Sequence, residues 1–250
     1  LPGPDRAIEV ALRRARFAEA TSDYPQAIQT ARRAIDLAQD AGDVSNEARG
    51  RLQWGRAAWH QGQYDVARTQ LEQALEESRD LGDPTLEGDC LSNLGIVSWY
   101  QGSFSAARDH LEQALTIKRE TDDRQGEAHV LTNLAGVAYE EGCHEAAAAR
   151  QREALEIYRT VGYRRGEAMA LCNLSVFLLE QGRYDRARVH LADCLPIYEE
   201  LNDREGETAA LINLGLIDLF QGQYEDADGH LGKALDEARQ IGDGKGETEA

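Results

Sequence analysis

"DPTLEGDCLSNLGIVSWYQGSFSAARDHLEQALTIKRETD", residues 83–122, holds one complete structural unit. Gly82 suits the C′ position that closes the preceding helix, and Asp83 suits an N-cap, where its carboxylate accepts N–H groups of the first turn. Pro84 then costs nothing, because the N–H it lacks would have had no partner there. The helix so begun runs to the Gln-Gly pair at 101–102. A second helix follows at once, with Ala107, Leu111 and Ala114 on one face. Each helix should run about 16 residues, or about 25 Å at 1.5 Å per residue. The short joint between them makes the two helices antiparallel neighbours.

The rest of the chain repeats this unit. Tyr24, Tyr64, Phe104, His144, Tyr184 and Tyr224 are spaced by 40 residues, as are Ala27, Ala67, Ala107, Ala147, Ala187 and Ala227. Glu47, Glu87, Glu127, Glu167, Glu207 and Glu247 keep the same period, and so do Asp43, Asp83, Asp123, Asp203 and Asp243, with Tyr163 as the departure. Fixed-period self-similarity of this kind marks a stacked array. The predicted organisation is a linker remnant at 1–4 followed by a single array with units 5–42, 43–82, 83–122, 123–162, 163–202 and 203–242, and a truncated seventh at 243–250. The first unit departs from the pattern with Arg13-Arg14 where later units have Asn-Leu. Pro196 removes a backbone donor inside the second helix of the fifth unit and should bend it. The Pro/Gly-rich opening "LPGPDR" and the absence of an initiator Met are what an excised segment of a larger protein would show.

The small, large and aromatic residues at these offsets resemble the tetratricopeptide repeat, with Leu94 and Gly95 in the Leu-Gly pair of its first helix and Ala107, Leu111 and Ala114 in the pattern of its second. The wording "NLG…QGxY…AL…GDRxGEA" is similar to the long repeats of Leu-Gly-Asn-repeat spindle-orientation proteins and kinesin light chain, and to the tails of bacterial signalling ATPases and transcription activators. The resemblance implies an all-α fold, a right-handed α-solenoid (superhelix) of about six antiparallel helix pairs, whose first helices line the inner, concave surface.

Composition limits the function. With 42% hydrophobic and 29% charged residues the chain can bury a core, and no run of residues is apolar enough for a membrane span. The net charge of −18 repels phosphate backbones and anionic lipid, so neither nucleic acid nor membrane is an expected partner. Cys90, Cys143, Cys172 and Cys194 form no paired spacing and read as free thiols of a reducing, cytoplasmic compartment. There is no phosphate loop, no HExxH and no nucleophile with a local base, so no cofactor, metal or enzymatic activity is expected. His110, His190 and His230 share one second-helix position, but copies one unit apart cannot chelate a single ion.

The asparagines are the notable polar feature. Asn is a poor helix-interior residue, yet Asn93, Asn133, Asn173 and Asn213 recur at one register. At about 100° per residue, Leu91, Leu94, Gly95 and Ser98 share the arc that packs on the second helix, and the asparagines fall away from it. The inner stripe becomes Asp89, Asn93, Ile96 and Tyr100; His129, Asn133, Gly136 and Glu140; Met169, Asn173, Val176 and Glu180; Ala209, Asn213, Leu216 and Phe220. A carboxamide offers donors and an acceptor, which suits an extended peptide backbone. The resemblance to O-GlcNAc transferase and kinesin light chain implies the same use of an asparagine ladder. The alternative is that each amide only bridges helices or a carbonyl four residues back. Trp59 and Trp99 should pack between successive first helices. The recurrent Glu should support the first turn, with Arg68, Arg108 or Arg188 as partners. Gly136 should leave room for a ligand.

The expected function is therefore a scaffold that binds a peptide or protein segment in its groove, with Glu140 and Glu180 favouring a basic one. The alternative is a sensor or self-association module of a larger bacterial regulator, self-association being served by the open C-terminal repeat end.

Overall fold

The computed structural model describes residues 4–247, with side chains from Asp5 to Gln240. Among the described residues there are helices and no strands. They are α1 (Pro4–Ala20), α2 (Tyr24–Ala41), α3 (Val44–His60), α4 (Tyr64–Leu81), α5 (Pro84–Tyr100), α6 (Phe104–Glu120), α7 (Arg124–Glu140), α8 (His144–Val161), α9 (Arg164–Glu180), α10 (Tyr184–Leu201), α11 (Arg204–Phe220) and α12 (Tyr224–Glu247). None is long and apolar enough to cross a membrane.

The punctuation comes from local chemistry. Asp23, Asp43, Asp83, Asp123 and Asp203 each cap a helix, accepting the N–H of Gln26, Asn46, Leu86, Gly126 or Gly206 at 2.9–3.1 Å. Tyr163, the departure from the Asp series, makes no side-chain cap bond. Gly82 closes α4 with φ +64°, a left-handed conformation open to glycine at no steric cost. Asn202 takes the same role after α10 at φ +52°. α10 runs unbroken from Tyr184 to Leu201 through Pro196.

Contacts divide the chain between Glu141 and Gly142 into two compact units, the first ending with α7 and the second opening with α8. In the first, each second helix packs between its own first helix and the next, and the first helices also touch in succession: α1 with α3, α3 with α5, and α5 with α7. The second unit repeats the scheme, with α9 touching α11. Within a pair the approach is close. A Cβ on Gly95 would lie 2.5 Å from the Leu111 Cγ, which explains the Leu-Gly pair of the first helix. Ala107, Leu111 and Ala114 form the other side of that contact and are fully buried.

Three sequence expectations are corrected. The recurrent glutamates do not meet Arg68, Arg108 or Arg188. Three of them pair with the last turn of the preceding second helix, Arg79 with Glu87 at 2.8 Å, Arg119 with Glu127 at 2.8 Å and Arg159 with Glu167 at 3.0 Å, while Glu47 meets Arg51 on its own helix and Glu207 meets Lys233 of α12 at 2.6 Å. The other arginines reach the end of the next first helix instead, Arg68 to Gln101 and Arg108 to Glu141, while Arg188 bonds Asp218 at 2.7 Å. Gly136 does not leave open space, because the Trp99 indole fills the position a Cβ would take. Lastly, α12 continues through Gly242 and Asp243, where the pattern places a break and a new helix. Extending an existing helix forms one hydrogen bond per residue, whereas a new one needs a costly nucleus. Residues 248–250 of that seventh stretch lie outside the described residues.

Candidate functional site

In the first unit the asparagine stripe lines a cleft. About 430 Å³ is enclosed between α3, α5 and α7, with Asn93, Asn133, Asp89, Ile96 and His129 among the lining residues. Asn93 and Asn133 sit at the same register on adjacent helices, both half-buried. Their amides differ. Asn93 Nδ2 donates to the Asp89 carbonyl, one turn back, at 2.8 Å. Among the described residues no hydrogen bond engages Asn133, and its amide is free to meet a ligand.

The floor of this cleft holds a residue that the sequence reading missed. Lys118, on α6, is only 4% exposed and reaches beneath the next first helix, where its Nζ donates to Asp89 Oδ1 at 2.5 Å and to Asp123 Oδ2 at 2.8 Å. Burial opposes the ammonium, but the bonds to Asp123 and Asp89 together outweigh it and raise the Lys118 pKa. For Asp123, burial is likewise outweighed, here by Lys118 and the Gly126 N–H, which hold the carboxyl below its ordinary value. Burial, helped by the Lys118 charge, pushes the His129 imidazole down against the pull of Asp123. A signal was present: the equivalent positions hold Ala38, Ser78, Tyr158, Tyr198 and Ala238, so Lys118 is the charged residue in an otherwise uncharged row.

Tyr100 ends the α5 stripe, 56% exposed, and belongs to a row of rings. Trp59 meets it edge-on at 5.4 Å and Tyr64 stacks beside it at 6.1 Å, while Tyr24 stacks on His60 at 4.7 Å. Trp59 and Trp99 are thus packing residues between first helices. Glu140, at the equivalent place on α7, is exposed.

In the second unit Asn173 and Asn213 take the same register on α9 and α11. Asn213 Nδ2 donates to the buried Cys172 Sγ at 3.6 Å, and no hydrogen bond engages Asn173 among the described residues. Met169, Val176 and Leu216 are half-buried beside them. Phe220 is 60% exposed and stacks on Tyr184 at 5.8 Å, and Glu180 lies 3.9 Å from His144.

A tetratricopeptide-repeat profile matches residues 46–120, 126–200 and 166–240. The chain belongs to the tetratricopeptide repeat family. No curated protein matches the chain. Among solved structures it is similar to BtubC from P. vanneervenii, at 22% identity over 97% of this chain and 93% of that one, with a TM-score of 0.71. It is also similar to a signal-transduction ATPase with numerous domains, carrying a tetratricopeptide repeat sensor, from Pyrococcus horikoshii (18% identity, 96% of this chain, 38% of that chain, TM-score 0.72). The Rap conjugation gene regulator of plasmid pLS20 in complex with the Phr* peptide matches at 15% identity, over 94% of this chain and 74% of that chain, with a TM-score of 0.72. At these identities the likeness is one of fold.

Proposed function

We propose that this tetratricopeptide array is a protein-interaction scaffold that binds an extended peptide segment along its first helices, with the stripe carboxamides on the ligand backbone. The observation that carries the reading is the cleft between α3, α5 and α7, where Asn133 presents an uncommitted amide beside Asn93. A helix-interior Asn costs about 0.6 kcal/mol against Ala, and a backbone-binding role explains its recurrence at four equivalent positions. The Rap regulator, similar in fold, holds a peptide. Asn93 and Asn213, each with one N–H engaged within the protein, serve through their Oδ1 acceptors.

Selection of binders from a random peptide library, followed by titration of the wild-type chain and the Asn93→Ala/Asn133→Ala variant, tests this. Each lost hydrogen bond to a neutral partner is worth about 1 kcal/mol, so the double variant should bind at least about tenfold more weakly. Equal affinity for wild type and variant sinks the backbone-clamp reading.

A sensor module is the second reading, favoured by the likeness to the tetratricopeptide repeat sensor of the Pyrococcus horikoshii ATPase. In that role the peptide is the signal, and the same stripe residues hold it.

A further inference from the structure

A second cleft adjoins the first. It encloses about 540 Å³ between α1, α3 and α5, and shares Arg56 and Asp89 with the asparagine cleft. Its apolar floor is Leu12, Leu52 and Leu86. Counting back 40 residues from Asn93 reaches Gln53, so the carboxamide row continues onto α3. Gln53 is 9% exposed, lines this cleft, and its Oε1 is buried without a hydrogen-bond partner. A desolvated acceptor of this kind costs about 1–3 kcal/mol unless something donates to it.

The charge here runs against that of the whole chain. The inner-stripe positions of α1 and α3 hold Arg13, Arg16, Arg49 and Arg56, in a protein of net charge −18. The carboxylates that line the cleft are already engaged: Glu9 with Arg13 at 2.6 Å, Asp83 as the cap of Leu86 at 3.0 Å, and Asp89 with Lys118 at 2.5 Å. Arg56 is balanced by Glu19 at 2.8 Å. Arg49 lies 3.6 Å from Asp83, too far for a good hydrogen bond, and Arg16 has no ion pair among the described residues.

We propose that the groove of the first unit binds its peptide in one direction, with an Asp or Glu side chain of the ligand seated between Arg16 and Arg49 and a backbone N–H donated to Gln53 Oε1. The inference rests on the peptide-binding reading above and adds to it the ligand's charge pattern. An acidic residue belongs at the α1–α3 end, while exposed Glu140 on α7 favours a cation at the other. Planar guanidinium groups suit a carboxylate because they can donate two parallel N–H bonds.

The test uses positional libraries of octapeptides, acetylated and amidated, with Asp/Glu, Asn/Gln or Lys/Arg fixed at each position in turn, titrated by fluorescence anisotropy. For the wild-type chain, Asp/Glu near one end should strengthen binding about tenfold over Asn/Gln, as expected for a charge-assisted pair. Arg16→Ala/Arg49→Ala should erase that preference, the Asp/Glu and Asn/Gln libraries then binding alike. Asn133→Ala should weaken all libraries alike. A carboxylate preference that persists in the arginine variant, or that is absent while binding still depends on Asn133, overturns this proposal and leaves the groove reading standing. A parallel library with a free C-terminal carboxylate in place of the amide completes the test, and a gain seen there but not with a side-chain carboxylate also overturns the proposal. If no library binds, the groove reading fails, and this proposal fails with it.

Discussion

Asn93 and Asn133 share a register and differ in what their amides do, and the difference has a thermodynamic consequence. Removing Asn93 loses a hydrogen bond one turn back; removing Asn133 loses none. Asn133→Ala should therefore stabilise the fold by about 0.5 kcal/mol through helix propensity alone, read as a higher urea midpoint, while weakening peptide binding. Stability and function would then pull in opposite directions at one residue. Lys118 gives a pH signature. Its folded pKa is raised, so its contribution is fully present below the unfolded value of about 10.4 and is lost as pH rises through the folded value. Lys118→Met should cost about 1–2 kcal/mol at neutral pH, because Asp89 and Asp123 are partly exposed and can rehydrate. The gap in Tm between variant and wild type should close as pH rises above about 10.4; a constant gap would mean the residue acts by packing alone. Gln151 occupies the place of Leu71, Leu111, Leu191 and Leu231, is fully buried, and neither of its amide atoms has a partner. Gln151→Leu should raise stability by about 2 kcal/mol in a thermal melt, since it removes two desolvated polar groups from an apolar site.

At the scale of the helix, what was legible in the sequence is what short-range chemistry decides. Asp at the N-cap and Gly at C′ act within one turn, so the ends of α4 and α5 follow from Gly82, Asp83 and Pro84. The phase of the stripe follows from the sequence for the same reason, because phase along a helix is local, and Asp89, Asn93, Ile96, His129 and Asn133 of that stripe line one cleft. Contacts between helices were not. Whether Glu87 meets Arg68 or Arg79 depends on how α4 and α5 cross, and the closer last-turn arginine wins. Lys118 was not legible because its partners Asp89 and Asp123 lie on neighbouring segments, and Gln53 because the row changes there from Asn to its longer homologue. The run of α12 through Gly242 shows the complementary case, where a local stop signal is overridden by helix extension. Pro196 lies inside α10, which stays helical to Leu201 although the Ala192 carbonyl has no N–H four residues on. Pro196 is exposed, so Pro196→Glu restores that bond without disturbing packing and should stabilise the fold by up to about 3 kcal/mol. A circular-dichroism melt reads the gain; no gain would mean that neighbouring contacts already compensate the missing bond.

Across the whole chain, 45 acidic residues face 27 basic ones. The surplus is 18 negative charges, which repel one another. Two salt effects then compete. Screening weakens the arginine–glutamate links such as Arg79–Glu87, but those are partly exposed pairs worth about 0–1 kcal/mol each at best. Screening also weakens the repulsion among the surplus acids, which acts over longer range: the Debye length falls from about 30 Å at 10 mM to about 8 Å at 150 mM. A short ion pair at 2.8 Å is screened far less than charges separated by a helix diameter. Relief of repulsion should win, and Tm should rise by about 2–4 °C between those two salt concentrations, corresponding to about 1 kcal/mol for a chain of this size. A fall in Tm over that interval would show instead that the cross-repeat ion pairs dominate the electrostatics of the array. Arg16→Glu and Arg49→Glu add charge to the same surplus, so these variants should steepen the salt dependence, whereas a neutralising change such as Glu199→Gln should flatten it.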